Sequence, residues 1–322
     1  MMSKILNRGT VWALLLISLV FLNKSAYPEE KENFKLRLSF KLTGGWAYTS
    51  IGDINSHLES FNNNETFEED RRMGSESIMG EITKLNNWSS DWEAELRLDI
   101  SPHFAVGLAT SGALHQKNED CLSMSGPGAW GGWTDILTFR PEIKARMPVK
   151  LGIYYSFPLV SRVSVFSTAG IGYYSASISK YERFREILYP GRGIYGMWKY
   201  WETNRNSSLG FHGGIGMECS LTKNLALVLE AQGRYVKIKN LKGTRQEPDS
   251  NDPFKIYERQ GTLYYYFYSR QGMGSVLSNF DLDIYEEPPS GTIPEISISE
   301  VRKAVIDLSG FSLRVGLRIK LF

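Results

Sequence analysis

The chain has little of what most metalloproteins, disulfide-rich proteins and helical membrane proteins depend on. Its 322 residues include two cysteines and four histidines, so it can form at most one disulfide, and no two histidines share a metal-ligand spacing. A helical membrane protein needs about 20 consecutive apolar residues per span, whereas the only long apolar run here extends from Val11 to Leu22. Lysine and arginine total 37 against 35 acidic residues. This balance, without a basic stripe, argues against nucleic-acid binding.

The short apolar run is typical of a secretory signal peptide. It follows the basic residues Lys4 and Arg8, and small and polar residues come after it. We predict cleavage after Ala26, so that residues 1–26 form the signal peptide and residues 27–322 form the exported domain. An uncleaved anchor is the alternative.

Apolar and polar residues alternate along most of the exported domain, which indicates β-strands with two different faces. The last twelve residues, "FSLRVGLRIKLF", are apolar at every odd position from Phe311 to Leu321, and three of the even positions carry a cation. Similar alternation marks seven further segments. The eight predicted strands cover residues 34–42, 92–100, 104–114, 142–155, 162–178, 208–221, 225–235 and 311–321.

The connections between these strands alternate in length. The short links are residues 101–103, 157–162 and 222–224, and the long connections are roughly residues 49–90, 113–136, 182–206 and 242–300. Strands of about 9–11 residues, with short turns on one side and long loops on the other, are typical of a barrel that crosses a bilayer. Aromatic residues such as Trp46, Trp88 and Phe104 fall near strand ends, where amphipathic rings prefer the membrane interface.

These features predict an all-β fold, namely a closed, antiparallel, up-and-down transmembrane β-barrel with eight strands and four long extracellular loops. Lipid offers no hydrogen-bond partner to an open sheet edge, so the last strand must pair with the first. Two alternatives remain open. An exported soluble β-sandwich would pack the apolar faces between two sheets, and the segment "TLYYYFYS" at 262–269 can add a hairpin that makes ten strands.

The pattern resembles the small outer-membrane barrels of the OmpA, OmpX and OmpW type. The resemblance rests on the signal peptide, the eight alternating strands, the four long loops and the terminal Phe322, and it covers most of residues 34–322. It implies residence in the cell outer membrane, contact with outer-membrane lipid, and use of Phe322 as the terminal signal for the barrel-assembly machinery. The chain departs from the family in one respect. Arg318 and Lys320 share the parity of Phe322, so this ring is out of phase with the apolar face.

Ionic residues of the polar faces are expected to fill the lumen. An eight-stranded barrel has an interior just wide enough for its side chains, and buried charges must be paired or hydrated. The simpler expectation is a rigid, salt-bridged filling; the excess of cations favours, as an alternative, a narrow water path that prefers anions. The predicted lumen charge network consists of Lys35, Arg37, Lys41, Glu93, Glu95, Arg97, Asp99, Lys144, Arg146, Lys150, Glu218, Glu230, Arg234, Arg314, Arg318 and Lys320.

The long loops are the expected functional surface. Asp53 is a plausible start for a short helix. Two aromatic-rich stretches either extend strands beyond the membrane or offer a recognition surface to an extracellular ligand or partner. The predicted loop surface consists of Trp198, Tyr200, Trp201, Tyr264, Tyr265 and Tyr266.

No residue pattern indicates a catalytic site, a cofactor or a metal. The glycine clusters lack the strand–loop–helix context of a phosphate loop. We therefore expect a non-catalytic outer-membrane barrel that acts in envelope integrity and in surface interaction through its loops. Narrow, porin-like or OmpW-like passage of small solutes is the first alternative, and a lipid-modifying barrel enzyme with a site near His115 is the second. Cys121 and Cys219 are predicted at opposite membrane faces, too far apart for a disulfide.

Overall fold

The computed structural model describes residues 36–62, 77–128, 131–188, 194–249, 255–271, 276–290, 292–293 and 296–321. All of them lie in one compact unit that begins at Leu36. The predicted signal peptide, Lys35 and Phe322 fall outside the described residues. The described part of the chain has no helix that is long and apolar enough to cross a membrane.

Most of the described residues belong to strands of one sheet. The strands are β1 (Arg37–Gly52), β2 (Ser77–Gly80), β3 (Trp88–Asp99), β4 (Phe104–Lys117), β5 (Asp120–Gly128), β6 (Gly131–Val160), β7 (Val163–Leu188), β8 (Ile194–Thr203), β9 (Asn206–Ser220), β10 (Leu225–Tyr235), β11 (Lys237–Ile238), β12 (Lys242–Pro248), β13 (Ile256–Gln271), β14 (Val276–Tyr285), β15 (Thr292–Ile293), β16 (Ile296–Lys303) and β17 (Ile306–Lys320). One helix, α1, spans Asp53–Asn62 within these ranges.

The strand pairings are antiparallel and return to their starting point. They lead from β1 through β3, β4, β6, β7, β9 and β10 to β17, and β17 pairs with β1. Leu42 of β1 lies opposite Leu317 of β17. The first and last of these strands are therefore neighbours, as the lack of hydrogen-bond partners in lipid predicts.

Burial along these strands is the reverse of burial in a soluble protein. Leu313 and Val315 of β17 are 53% and 51% exposed, whereas Arg314 between them is 2% exposed. In β1, Trp46 is 70% exposed and Lys41 is fully buried. Because successive side chains point to opposite faces, the apolar residues form the outer surface and the charged residues form the interior. The apolar faces are not packed between two sheets, which rules out the soluble sandwich.

A bulge in β6 exchanges the two faces halfway along the strand. The register between β6 and β7 shifts between Arg146 and Val149. After the bulge Lys150 is buried and Val149 is exposed, but before it Ala145 is buried while Lys144 and Arg146 are exposed. An extra residue in a strand moves every following side chain to the opposite face. This corrects the expectation that Lys144 and Arg146 line the lumen.

The segments expected as long loops contain strands. In the part of β6 that precedes the bulge, residues 131–146, the strand pairs with β5 and β7, and β5 pairs with β2. On the other side β7 pairs with β8, β8 with β12, β12 with β13, and β13 with β14 and β16. We call this region, together with α1, the apolar layer, because its interior is an apolar cluster that includes Leu58, Phe139, Trp201 and Leu282.

The hairpin that prompted the ten-stranded alternative lies in the apolar layer. It is formed by β13 and β14, and β13 also pairs with β12 and β16. Strand β10 pairs directly with β17. The hairpin is therefore not inserted between the strands that lead back to β1.

Helix α1 begins directly after β1. Gly52 makes the turn with a φ of 83°, and a Cβ there would lie 2.7 Å from two backbone atoms, so only glycine fits. The two terminal guanidinium nitrogens of Arg302 donate to the Asp53 carboxylate, at 2.6 and 2.7 Å. Ile54 and Leu58, one helical turn apart, are buried in the apolar layer. The helix that starts at Asp53 is thus packed against the sheet by its apolar face.

The pairing of β1 with β17 predicts a specific disulfide. Gly44 and Val315 are directly opposite each other, so Gly44→Cys/Val315→Cys, in a Cys121→Ser/Cys219→Ser background, should form an intramolecular bridge under mild oxidation. Both natural cysteines are free.

The control pair is Gly44 with Leu229. Leu229 lies opposite Val315 on the other side of β17. Its Cα is therefore roughly 9–10 Å from that of Gly44, which is beyond the reach of a disulfide. Non-reducing mass spectrometry should therefore find no bridge in Gly44→Cys/Leu229→Cys. Equal bridging in both pairs would contradict the register.

Candidate functional site

We call the charged interior of the eight paired strands the ionic lumen. Its upper part is built around Lys41. Its ammonium lies 3.3 Å from Glu93, 2.7 Å from Glu95 and 2.7 Å from Glu230. Lys41 comes from β1, Glu93 and Glu95 from β3, and Glu230 from β10. All four side chains are almost completely buried. Through these contacts, one ammonium with three N–H donors links β1 to β3 on one side. On the other side it links β1 to β10, which lies beyond β17.

Two further cations share the same carboxylates. The Arg314 guanidinium lies 2.9 Å from Glu93 and 3.4 Å from Asp91, and it also pairs with Glu230. Lys150 from β6 pairs with Glu93 as well. Glu93 therefore pairs with three cations on three different strands, and it accepts hydrogen bonds from Lys150 and Arg314. Such charge-assisted bonds are stronger than neutral ones, and they tie the strands together through the interior.

A second group of ions lies toward the short turns. Arg97 pairs with Glu218 at 2.9 Å and with Asp99 at 3.3 Å. Arg318 donates to Glu218 at 2.8 Å and to Asp99 at 2.8 Å. The Arg97 guanidinium also stacks over the Tyr154 ring, with its carbon 4.5 Å from the ring centroid. This square of two arginines and two carboxylates fills the lower part of the ionic lumen.

The described ionic lumen is close to charge balance. The cations in the two groups are Lys41, Arg97, Lys150, Arg314 and Arg318. The carboxylates are Asp91, Glu93, Glu95, Asp99, Glu218 and Glu230. The excess of cations that favoured an anion path is therefore absent from these two groups, which hold five cations and six carboxylates.

The remaining predicted lumen residues lie elsewhere. Arg37 is exposed and Lys320 is half-buried near the short turns, while Lys144 is exposed and pairs with Glu142 at 3.1 Å. Arg234 is half-buried; its Nε donates to the carbonyl of Leu308 at 2.8 Å instead of joining the carboxylates.

Two members of the ionic lumen were not predicted from the sequence. Asp91 pairs with Arg314, and the Tyr154 hydroxyl donates to Glu95 at 2.6 Å. A signal for both was present, because Asp91 has the parity of Glu93 on its strand and Tyr154 has the parity of Lys150. The predicted strand began one residue too late for Asp91, and Tyr154 was assigned to neither face.

The predicted loop surface is largely buried, which corrects that expectation. Trp201, Tyr264, Tyr265 and Tyr266 are at most 8% exposed, and Trp198 and Tyr200 are half-buried. The reason is that both faces of β13 are covered. The Tyr265 ring stacks on Phe280 with centroids 5.2 Å apart, while the Tyr266 hydroxyl donates to Asp281 at 2.8 Å on the other face.

A buried polar cluster lies inside the apolar layer. Lys180 and His57 are both fully buried, and the Lys180 ammonium lies 2.9 Å from His57 Nε2. His57 Nδ1 lies 2.8 Å from the carbonyl of Phe280. Lys180 also pairs with Glu182 at 3.1 Å and with Asp281 at 3.6 Å. The geometry suits a neutral His57 that donates from Nδ1 and accepts from Lys180 at Nε2.

Burial and the neighbouring charge keep His57 neutral. Burial lowers the pKa of His57 to about 4, the Lys180 charge adds to this effect, and Asp281 opposes it. His57 therefore titrates well below the ordinary range of histidine.

His115 does not form an assembled hydrolytic site with the described rim residues. His115 Nε2 lies 2.6 Å from Glu142, and the Ser179 hydroxyl lies 3.5 Å from the other oxygen of the same carboxylate. The carboxylate thus stands between serine and histidine, whereas an activated serine needs the base beside it. Among the described residues, no three histidine, cysteine, aspartate or glutamate side chains are arranged to hold a metal ion.

Removing one buried cation from the ionic lumen should strongly destabilise the protein. Arg314→Met leaves Glu93 and Glu230 with less compensation, and breaking a buried ion pair costs about 3–5 kcal/mol. The measurement is urea unfolding of the refolded protein in detergent micelles. Arg146→Met is the matched control, because Arg146 is exposed, and its effect should stay within about 0.5 kcal/mol. Equal effects of the two substitutions would contradict the ionic lumen.

Acidification should loosen the apolar layer through His57. Between pH 6.5 and about pH 4 the unfolded chain binds a proton at His57 and the folded chain does not. Stability therefore falls as the pH decreases through this window, by about 3 kcal/mol. Burial raises the pKa of the Glu182 and Asp281 carboxylates, but the Lys180 charge outweighs this effect and lowers the pKa of both.

Hydrogen exchange of α1 and β14, corrected for intrinsic rates, measures this loosening. His57→Gln keeps an acceptor for Lys180 but cannot take up a proton, so its protection should be nearly constant from pH 7 to pH 4. The same pH dependence in wild type and variant would show that another group controls the layer.

Comparison of the sequence with known protein families identifies one family, and its description agrees with this architecture. Residues 13–267 match the family described as outer membrane protein beta-barrel domain, which is more than half of the chain. The match ends within β13, so β17 lies beyond it. No curated protein matches this sequence. On the strength of the family match, the chain belongs to the outer membrane beta-barrel domain family.

Proposed function

We propose that this chain is an exported, eight-stranded, closed outer-membrane barrel whose lumen is sealed by its own ion pairs and whose apolar layer is the working surface outside the membrane. The observation that carries the proposal is the inverted burial of the paired strands. Exposed rows such as Leu313 to Ile319 suit acyl chains, and charges such as Arg314 are enclosed. Export by residues 1–26 and assembly guided by Phe322 belong to the same proposal.

The closed lumen is supported by pairing on two scales. The backbone pairings from β1 round to β17 leave no unpaired neighbour in this series of strands. In the interior, Lys41, Arg314 and Arg318 each contact at least two carboxylates. An ion that passes through must displace these bonds. Both features favour a structural lumen over OmpW-like or porin-like passage of solutes.

A role in surface interaction is supported by the outer face of the apolar layer. Ile256 and Tyr257, at the start of β13, are 59% and 51% exposed. Arg259 is exposed on the same strand. Apolar and aromatic residues next to an exposed arginine are the residue types enriched at protein–protein contacts. We propose that this hairpin end contacts an extracellular ligand or partner, and that the barrel itself is non-catalytic and supports envelope integrity.

Planar-bilayer recording tests the sealed lumen. Wild-type protein should insert without stepwise conductance, because each cation of the ionic lumen keeps its carboxylate partners. Lys41→Ala/Lys150→Ala removes two buried cations that link β1 and β6 to β3, and it should produce measurable openings. Lys144→Ala/Arg146→Ala is the matched control on the exposed face and should remain silent. Conductance of the wild type with steady unitary steps would overturn the sealed lumen and favour passage of solutes.

The surface role needs a test that does not depend on the lumen. Cells that lack the protein are complemented with wild type, with Ile256→Ser/Tyr257→Ser, or with the lumen variant Lys41→Ala/Lys150→Ala. Their adhesion, their aggregation and their resistance to sodium dodecyl sulfate are then compared. We expect the hairpin variant to lose adhesion or aggregation phenotypes while keeping detergent resistance. Loss of detergent resistance in the hairpin variant alone would assign envelope integrity to the layer instead of the barrel.

A further inference from the structure

The lipid-facing surface has a groove where side chains are missing. Ala169, Gly213, Gly233 and Phe311 are successive partners across β7, β9, β10 and β17. Three of these four positions thus carry at most a methyl group in a band that is otherwise covered by large apolar residues. The groove has a volume of about 360 Å³. Its walls include Ile215, Ala231, Phe311 and Leu313.

Gly233 is not required by the packing of the chain. A Cβ built on Gly233 would lie 3.8 Å from its nearest neighbour, which is ordinary contact, whereas a Cβ on Gly310 would lie 1.9 Å from a carbonyl oxygen. Gly213 is intermediate, at 3.3 Å. Glycine weakens a strand and often marks a place where a ligand approaches closely. The space above Gly233 is therefore free for a molecule that is not part of the chain.

A basic patch lies directly beyond the groove on the same side of the sheet. Asn206 donates to the carbonyl of Lys239 at 2.6 Å, and the backbone N–H of Asn204 donates to the carbonyl of Lys242 at 2.7 Å. These bonds bring two chain segments together. The exposed cations of the patch are Arg205, Lys237, Lys239, Lys242 and Lys303.

The patch is available to an anion. Within the described residues, Lys237, Lys239 and Lys242 have no carboxylate oxygen within 4.0 Å. Asp307 is the cross-strand partner of Lys237, and its carboxylate accepts the N–H of Ser309 at 2.9 Å. The patch thus combines an excess of positive charge with exposure to water.

An exposed aromatic ring links the patch to the groove. Lys237 holds its ammonium 5.6 Å from the centroid of the Tyr235 ring, and Tyr235 precedes the groove along β10. Gly233 and Lys237 are four residues apart, or roughly 14 Å along the strand. This is close to half the ~30 Å thickness of the hydrocarbon core. Anion site, interfacial ring and apolar groove therefore follow one another in the order in which a lipid presents its phosphate, its linker and its acyl chain.

We propose that the groove and the basic patch together form a binding site for one phosphorylated lipid, with an acyl chain over Gly213 and Gly233 and the phosphate at Lys237 and Lys239. The inference rests on the proposed function, since the groove meets acyl chains only if this surface lies in a bilayer. A lipid fits better than free phosphate, because free phosphate makes no use of the groove. It also fits better than a second barrel, because the cationic patch on one copy would face the same charges on another.

Native mass spectrometry of the refolded, full-length protein tests the site. The probes are dipalmitoyl phosphatidic acid, dipalmitoylglycerol and inorganic phosphate, which separate the chain from the phosphate. We expect one retained phosphatidic acid per protein, and at least tenfold weaker retention of either other probe. Gly233→Leu fills the groove and Lys237→Gln/Lys239→Gln removes two cations, so each should weaken phosphatidic acid retention about tenfold.

Matched controls separate the site from general effects. Gly44→Leu places the same side chain on another open lipid-facing glycine, whose Cβ would lie 3.9 Å from its nearest neighbour. Arg162→Gln/Lys223→Gln removes two exposed cations from the short turns. Both should bind like the wild type. Equal binding by all variants, retention of phosphate alone, or protein dimers in place of lipid adducts would overturn the proposal.

Heat-modifiable migration and vesicle insertion are checked for every variant before binding is compared. Wild-type protein that neither inserts nor shows heat-modifiable migration would sink the proposed membrane barrel itself. Inserted wild-type protein that retains no phosphatidic acid would leave the barrel intact and overturn only the lipid site.

Discussion

The structure depends on a dense set of buried ion pairs inside a ring of strands. Lys41, Arg314 and Arg318 lie in an interior from which water is largely excluded, and each is neutralised by carboxylates from neighbouring strands. A buried charge without a partner is costly, so these side chains must meet when the last strand reaches the first. Pairing of β1 with β17 is therefore both a backbone and an electrostatic requirement. The outward apolar rows then have no protein partner, and their natural solvent is hydrocarbon.

The bulge in β6 marks the level at which the two faces of the strand exchange polarity. Below it, Val149 faces outwards and Lys150 faces the ionic lumen; above it, Ala145 faces inwards and Lys144 faces outwards. Inside and outside exchange polarity at the same point on one strand. Such an exchange suits a strand that passes from acyl chains into water, because an apolar outer surface is favourable only in lipid. One extra residue thus lets a single sheet enclose two interiors of opposite character.

The sequence was most informative where one face meets lipid. Strict alternation predicted the parity of Glu93, Glu95, Arg97 and Asp99. The lack of hydrogen-bond partners in lipid predicted the pairing of the first strand with the last. The sequence was least informative in the apolar layer, on the far side of the β6 bulge from the ionic lumen. Pro148 in the middle of an alternating run was the available signal, because proline within a strand marks bulges. In the apolar layer both faces of the middle of β13 are buried, so Tyr264, Tyr265 and Tyr266 show no alternation and were expected on the surface. The His57–Lys180 contact joins residues 123 positions apart, and no local pattern encodes it.

A lumen filled by mutually bonded side chains limits where this barrel can act. If Lys41 and Arg97 are fixed by their carboxylates, the interior offers no site that a ligand can enter without breaking ion pairs. Function must then lie on surfaces that the fold leaves free. Two such surfaces in the described part of the chain are the exposed hairpin end at Ile256 and Tyr257 and the groove at Gly233. The glycine at 233 is unexplained by packing, whereas the bulky side chains around it are what a lipid-facing wall requires. An opening kept in that wall, next to unpaired lysines, is better understood as a contact with one lipid molecule than as a defect in the barrel.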